Sequence, residues 1–308
     1  MNSTANADRL QVILAATDFS AAAERALERA VQIAKAHHAR LELVHTFDAA
    51  PVMPAWGDPG GGAWIGEKMF MDGVRDQLER SRARLAADHA IEVNANLEVG
   101  PAHRQIARHA AASNADLVVI GASGSSGLVQ RLLGSTAQNV VRSSQVPVLV
   151  VRLPGDTAYT NTVAATDFSD DAMAAATMAL QLAPTGTLHV VHAFESVFDN
   201  DLARETLPAA ELERMQGKDR EHAREQLTDI RQRLAAVNAQ TTLHTVVRDG
   251  NPDQQLDVFV GEVHAELLAL GGHGKTRWEA GLLGSTTQHA VSHAPCDVLV
   301  WRRPAAAD

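Results

Sequence analysis

At 308 residues the chain is about twice the length of an ordinary domain, so two domains are expected. Hydrophobic residues make up 45% and aromatic residues only 4%, so the core must be built from Val, Leu, Ile and Ala. The net charge of −10 argues against nucleic-acid or anionic-membrane partners. Cys296 is the single cysteine, which excludes an internal disulfide and a CxxC motif. The first ten residues carry no signal-peptide core and no apolar run reaches membrane-spanning length, so a cytoplasmic protein is expected.

The elements alternate short β-branched runs with longer helical patterns, which reads as βαβ units around a parallel sheet. In chain order, Gln11–Ala16 is a buried strand, and Ser20 caps a helix with Leu27, Val31 and Ala34 on one face. Arg25, Glu28 and Lys35 are expected to face water. Strand Leu41–Phe47, helix Glu67–Asp88 and strand Ile91–Val99 follow, and a helix opens after Gly100-Pro101. Strand Asp116–Ile120, a helix from Gly134-Ser135 and strand Val146–Val151 close the set.

A second set then repeats the first. Its strands are expected near Thr162–Ala165, Leu188–Phe194, Thr242–Arg248, Glu266–Leu270 and Asp297–Trp301, and Asn251-Pro252-Asp253 starts a helix. The string at Ala15–Ser20 recurs at Ala164–Ser169, Val44–Phe47 is answered by Val191–Phe194, and Leu132–Thr136 by Leu282–Thr286. The offsets stay between 147 and 150 along each half, so one domain occurs twice. Pro154-Gly155-Asp156 reads as the linker, giving domains 1–154 and 155–308.

Both halves follow strand four with G-x2-G-x9-G-[ST]: Gly121, Gly124, Gly134 and Ser135 in the first, Gly271, Gly274, Gly284 and Ser285 in the second. Glycines let backbone amides approach phosphate oxygens, and Gly-Ser at a helix start presents free donors to an anion. The placement after strand four argues against a dinucleotide fingerprint, and no G-x-x-x-x-G-K-[ST] occurs. His289 and His293 share a helical face but lack the H-E-x-x-H glutamate, so two surface or interface histidines are expected rather than a metal site. Cys296 is expected to be a packing residue.

The glycine motif, together with Thr-Asp-Phe-Ser after strand one, resembles the universal stress protein family in its ATP-binding form. The resemblance covers nearly all of both halves and identifies a tandem member. It implies an α/β fold of two Rossmann-like domains, each a five-stranded parallel sheet of order 3-2-1-4-5 with helices on both faces. It implies nucleotide contacts from Ala16, Thr17, Asp18 and Thr46 in the first half, and from Ala165, Thr166, Asp167 and Ala193 in the second. The glycine motifs would hold ribose and phosphates through Gly121, Ser123, Gly124, Gly134, Ser135 and Thr136, and through Gly271, His273, Gly274, Lys275, Gly284, Ser285 and Thr286. The implied cofactor is ATP, with Mg2+ bound through the phosphates where present.

Ser20 and Ser169 suit the capping role, which would leave Asp18 and Asp167 for the ligand. His273, Lys275 and Arg277 make the second loop more cationic than the first, although Arg277 and Trp278 add bulk. Pro51–Gly66 reads as a lid over the first site, a partner-binding surface or a disordered segment. No oriented base or nucleophile stands out, so a nucleotide-reading signalling protein is preferred, with a slow ATPase or phosphoryl-transfer enzyme as the alternative. The last strands are short and apolar and lie near the sheet edge, where unprotected strands invite pairing, and the resemblance implies that the two domains associate through them within the chain; homodimerisation of the whole chain is left open.

Overall fold

The computed structural model describes residues 9–48, 62–123, 133–196, 205–272 and 283–302, with side chains from 69 onward in the second stretch. Gly124, His273, Gly274, Lys275, Arg277 and Trp278 lie outside the described residues, as does most of Pro51–Gly66. The chain divides into two compact units, the first ending at Thr157 and the second beginning at Ala158.

The first unit runs β1 (Val12–Thr17), α1 (Ala21–His37), β2 (Arg40–Phe47), α2 (Gly62–His89), β3 (Val93–Val99), α3 (Ala102–Ala112), β4 (Leu117–Gly121), α4 (Ser135–Ser143) and β5 (Val148–Val151). Gly62–Gly66, expected to be loop, instead begin α2. Its strands lie in the order 3-2-1-4-5, all parallel. Residues Val12–Ala15 of β1 and Leu117–Ile120 of β4 are buried, as strands covered on both faces require. Helix α1 packs with α2, and α3 with α4, as the two covering layers.

The second unit repeats the plan with β6 (Asn161–Ala165), α5 (Asp170–Leu182), β7 (Thr187–Phe194), α6 (Ala209–Val237), β8 (Thr242–Asp249), α7 (Pro252–Glu262), β9 (Leu267–Gly271), α8 (Ser285–His293) and β10 (Asp297–Trp301). Its order is β8-β7-β6-β9-β10, again parallel and again 3-2-1-4-5 by position. Helix α7 starts where Asn251-Pro252-Asp253 predicts: the Asn251 side chain accepts from the amides of Asp253 and Gln254 at 3.1 and 3.3 Å.

Two further expectations need correction. Arg25 is half-buried rather than facing water. The stretch Pro154-Gly155-Asp156, read as a linker, is clasped together with Thr157 by α1. Arg29 is 2% exposed, and its guanidinium donates to the Pro154 carbonyl at 2.8 Å and to the Thr157 carbonyl. A Cβ on Gly155 would overlap the Arg29 backbone, so only glycine lets the segment lie this close.

Candidate functional site

In a sheet of this order the chain leaves β1 towards one edge and returns at β4 towards the other. The carboxyl ends of β1 and β4 therefore diverge and open a crevice. The residues placed there in the first unit are the end of β1, the end of β4 and the start of α4. They line a cleft of about 270 Å³, just below the ligand-pocket range of roughly 300–1,000 Å³.

Nine of the ten residues singled out for the first half line this cleft: Ala16, Thr17, Asp18, Thr46, Gly121, Ser123, Gly134, Ser135 and Thr136. The tenth, Gly124, lies outside the described residues. Sequence reasoning missed the apolar wall, made by Ala23, Ala102, Ile106, Ile120, Ala122 and Ala137. The signal for Ala102 and Ile106 was present: a helix opening after Gly100-Pro101 places its first turns over the carboxyl end of β2.

The Thr-Asp-Phe-Ser string folds as one rigid turn in each unit. Phe19 and Phe168 take left-handed backbone conformations at φ 59° and 66°. The amide of Phe19 donates to the Thr17 hydroxyl at 3.0 Å, and that of Ser20 to Asp18 Oδ1 at 3.0 Å. Ser20 then caps α1 by accepting from Ala23 at 3.2 Å. Thr166, Asp167 and Ser169 repeat these bonds at 2.9, 3.0 and 3.2 Å. The serines cap as expected, but each aspartate also commits one oxygen to the turn, which fixes the orientation of its carboxylate.

The second-strand histidine braces the turn from behind. His45 Nδ1 lies 2.8 Å from the Thr17 carbonyl and its ring stacks on Phe19 at 4.8 Å. His192 Nδ1 likewise lies 2.7 Å from the Thr166 carbonyl, with its ring against Phe168 at 4.2 Å but tilted by 42°. A carbonyl partner requires the proton on Nδ1. Burial lowers the His45 pKa below its usual value, against the pull of the Thr17 carbonyl and Asp18, which favours the neutral ring. These histidines brace the turn.

Gly121 and Gly271 have a packing role that their spacing did not suggest. A Cβ on Gly121 would lie 2.7 Å from the Ala22 carbonyl oxygen, and one on Gly271 would lie 2.9 Å from the Ala172 nitrogen. Their first function is to admit the capped helix against the end of the fourth strand. Gly134 and Gly284 close the loop base by donating to the carbonyls of Ala122 and Gly272 at 2.7 and 3.1 Å.

Beyond that bond α4 begins with no side-chain cap among the described residues, which leaves its leading amides directed at the cleft, and α8 likewise starts without one. The contrast with α1 is direct. The helix whose start is packed against the sheet receives a serine cap, whereas the helix opening on the crevice does not.

In the second unit, Ala165 ends β6 and Thr166–Asp167 follow it, Ala193 lies near the end of β7, Gly271 ends β9, and Gly284 precedes Ser285 and Thr286 at the start of α8. Thr287 stands where the first unit has Ala137, and its hydroxyl donates to the Gly271 carbonyl at 2.7 Å. Asp171 replaces Ala22 beside Gly271. Arg302 is 6% exposed; burial lowers its pKa, with Asp171 opposing that shift. Asp171 and Thr287 thus add polar groups where the first unit has alanines, whereas Ala193 stands where it has Thr46.

The histidine pair does not form a metal cluster, and no such group occurs among the described residues. His289 Nε2 instead lies 2.8 Å from Asp257 Oδ2 of α7. Cys296 is 1% exposed and packed in the core. Among the described residues, no helix is long and apolar enough to cross a membrane.

A parallel sheet of this order, with a braced turn after strand one and an uncapped helix after strand four, defines each unit as a Rossmann-like α/β domain. The family model for universal stress proteins matches residues 10–152 and again 158–302. The chain belongs to the universal stress protein family, as a tandem two-domain member, and so to the stress-response proteins.

A universal stress protein of Methanocaldococcus jannaschii is 31% identical over 144 residues, covering 46% of this chain and 82% of its own length. One from Thermus aquaticus is 33% identical over 146 residues, 46% of this chain and 98% of its own. The crystal structure of a universal stress protein from Archaeoglobus fulgidus aligns over 95% of this chain and 98% of that one, with a TM-score of 0.65 and 19% identity. That likeness shows the fold.

Proposed function

We propose that the first unit binds ATP in the crevice between β1 and β4, and that the protein reads adenine nucleotide in a stress response rather than turning it over. The observation carrying this reading is the cleft itself. One wall is apolar, the other holds the fixed Asp18 carboxylate, and its end is an uncapped helix start where an anion gains from amides and dipole together. Ribose hydroxyls suit Asp18, and phosphates suit the amides of α4. The second unit has the same elements with Asp171, Thr287 and Ala193 in place of Ala22, Ala137 and Thr46, and is proposed to bind with a different affinity. Any Mg2+ would arrive with the phosphates. Neither crevice shows a base aligned with a nucleophile among the described residues, so turnover is expected to be absent or slow.

The test is calorimetric titration with ATP, alongside chromatography of nucleotide released on denaturing freshly purified protein. Ser135→Asp places a negative charge at the first position of α4, where it favours the helix but repels phosphate. Affinity at the first site should fall at least about tenfold with the melting temperature unchanged or raised. No released nucleotide together with no heat from ATP would sink the proposal. ATP hydrolysis well above background, lost in Ser135→Asp, would overturn the non-enzymatic reading.

A further inference from the structure

A second groove lies in the second unit, on the side of α5 that faces α6. It has a volume of about 460 Å³, with Phe168, Met173 and Ile230 as an apolar floor and Asp170, Glu225 and Asp229 along its rim. Gln226 also lines it, with Oε1 buried and no hydrogen-bond partner for that atom among the described residues.

The same place in the first unit is built differently. Helices α2 and α6 correspond through their buried leucines, Leu78 with Leu227 and Leu85 with Leu234, at the same offset that relates Ser20 to Ser169. By that register Met173 stands where the first unit has Glu24, Asp229 where it has Arg80, and Asp170 where it has Ala21. In the first unit Glu24 reaches across to Arg84 of α2 at 3.5 Å, an ion pair that spans the two helices. In the second, Arg233 replaces Arg84, but its partner across the groove has become a methionine. Arg233 turns along its own helix to Asp229, 3.7 Å away, with both side chains more than half exposed. Such exposed pairs contribute little and are readily displaced. His222 approaches Glu225 only at 4.0 Å.

Three changes therefore act together: the bridging pair is lost, the floor gains a thioether that adapts to apolar partners, and the rim becomes acidic. From this we infer that the groove is a docking site for a basic amphipathic segment of a partner protein. The segment's apolar side chains rest on Phe168, Met173 and Ile230, and its cations face Asp170, Glu225 and Asp229. The inference does not rest on nucleotide binding, although Phe168 and Ser169 belong to the same turn as Asp167.

The probe is a fluorescently labelled helical peptide with arginines on one face and leucines on the other, titrated into the full chain by anisotropy at low and moderate salt. The wild type should bind it, with affinity falling as salt rises, and a version with glutamates for arginines should not bind. Met173→Glu restores the first unit's residue. It adds negative charge yet fills the floor and recaptures Arg233, so affinity should fall about tenfold. General attraction of a basic peptide to an acidic protein predicts the opposite, tighter binding, and that result would overturn the proposal, as would failure of the wild type to bind.

Should Met173→Glu fail to fold, Asp229→Arg carries the test. Its position is exposed, and it should weaken binding. Glu211→Arg, about 27 Å away along the same helix at 1.5 Å per residue, should not. Equal loss from both would overturn the docking site.

Discussion

Glu42 and His189 occupy the same place in the two units, the third residue of the second strand, in β2 and β7. Glu42 is 5% exposed and accepts from Asn94 at 2.9 Å, Arg40 at 3.1 Å and Asn96 at 3.3 Å, with His109 at 3.5 Å. Burial alone would raise its pKa, but the bonds from Asn94, Arg40 and His109 outweigh it and hold the carboxyl below its usual range. His189 instead donates through Nε2 to Asn161 Oδ1 at 3.0 Å and stacks on His244 at 5.2 Å, with Phe259 edge-on. Burial, reinforced by His244, lowers its pKa.

The neighbours changed with the central residue: His244 for Asn94 and Phe259 for His109. A buried site in a fixed sheet thus keeps its backbone and exchanges its chemistry as a set, because changing one member alone strands a buried charge.

The strongest way to break that comparison is to change one member only. Glu42→His leaves Arg40 and His109 facing each other without the carboxylate. It should cost about 3–5 kcal/mol in urea unfolding, with Asn94→His and His109→Phe added together recovering part of the loss. No recovery would show that the two sets are not equivalent units.

The shared framework gives the next effect. Gly121→Ala drives a Cβ against the Ala22 backbone and should lose about 1–3 kcal/mol. Gly271→Ala, with its nearest atom slightly farther off, should lose less. A smaller difference separates the fourth-strand approaches. Asn251→Ala should cost about 1 kcal/mol through loss of the α7 cap, whereas α3, which begins at Pro101 with no side-chain cap, has none to lose.

The smallest effect is the pH response. The native state resists protonating His189, so the unfolded chain binds protons first as pH falls below the usual 6.5. Stability is then full above that value and declines below it, with His45 acting in the same direction. Glu42 adds its own loss only below about 4.5, where unfolded carboxyls protonate while the native one stays charged. Urea midpoints at roughly pH 7.5 and 5.5 should therefore differ less in His189→Gln than in the wild type. An unchanged difference would remove His189 from the account.

Much of this was legible in the chain. The repeat and the strand order by resemblance placed Thr17, Asp18, Thr46, Gly121 and Ser135 around one crevice, because local turn chemistry and βαβ alternation agree there. The purpose of individual residues was less legible. The spacing of Gly121 suggested phosphate and did not show that its missing side chain also serves a helix close in space and distant in sequence. Glu42 gave a signal that was not used: a carboxylate between Leu41 and Leu43 in a strand covered on both faces must find buried partners. Arg29 resembled any solvent-facing helix residue, since nothing local shows that residues 154–157 return to it.

That clasp decides where the two halves could be separated. A fragment ending before Pro154 would remove the carbonyls that Arg29 holds and expose the contact surface under Gly155, so the first half would carry a defect of the cut's own making. A fragment ending after Thr157 keeps donor and acceptors together. Whether each half binds nucleotide by itself is best asked of pieces divided there, three residues beyond the point that composition suggests.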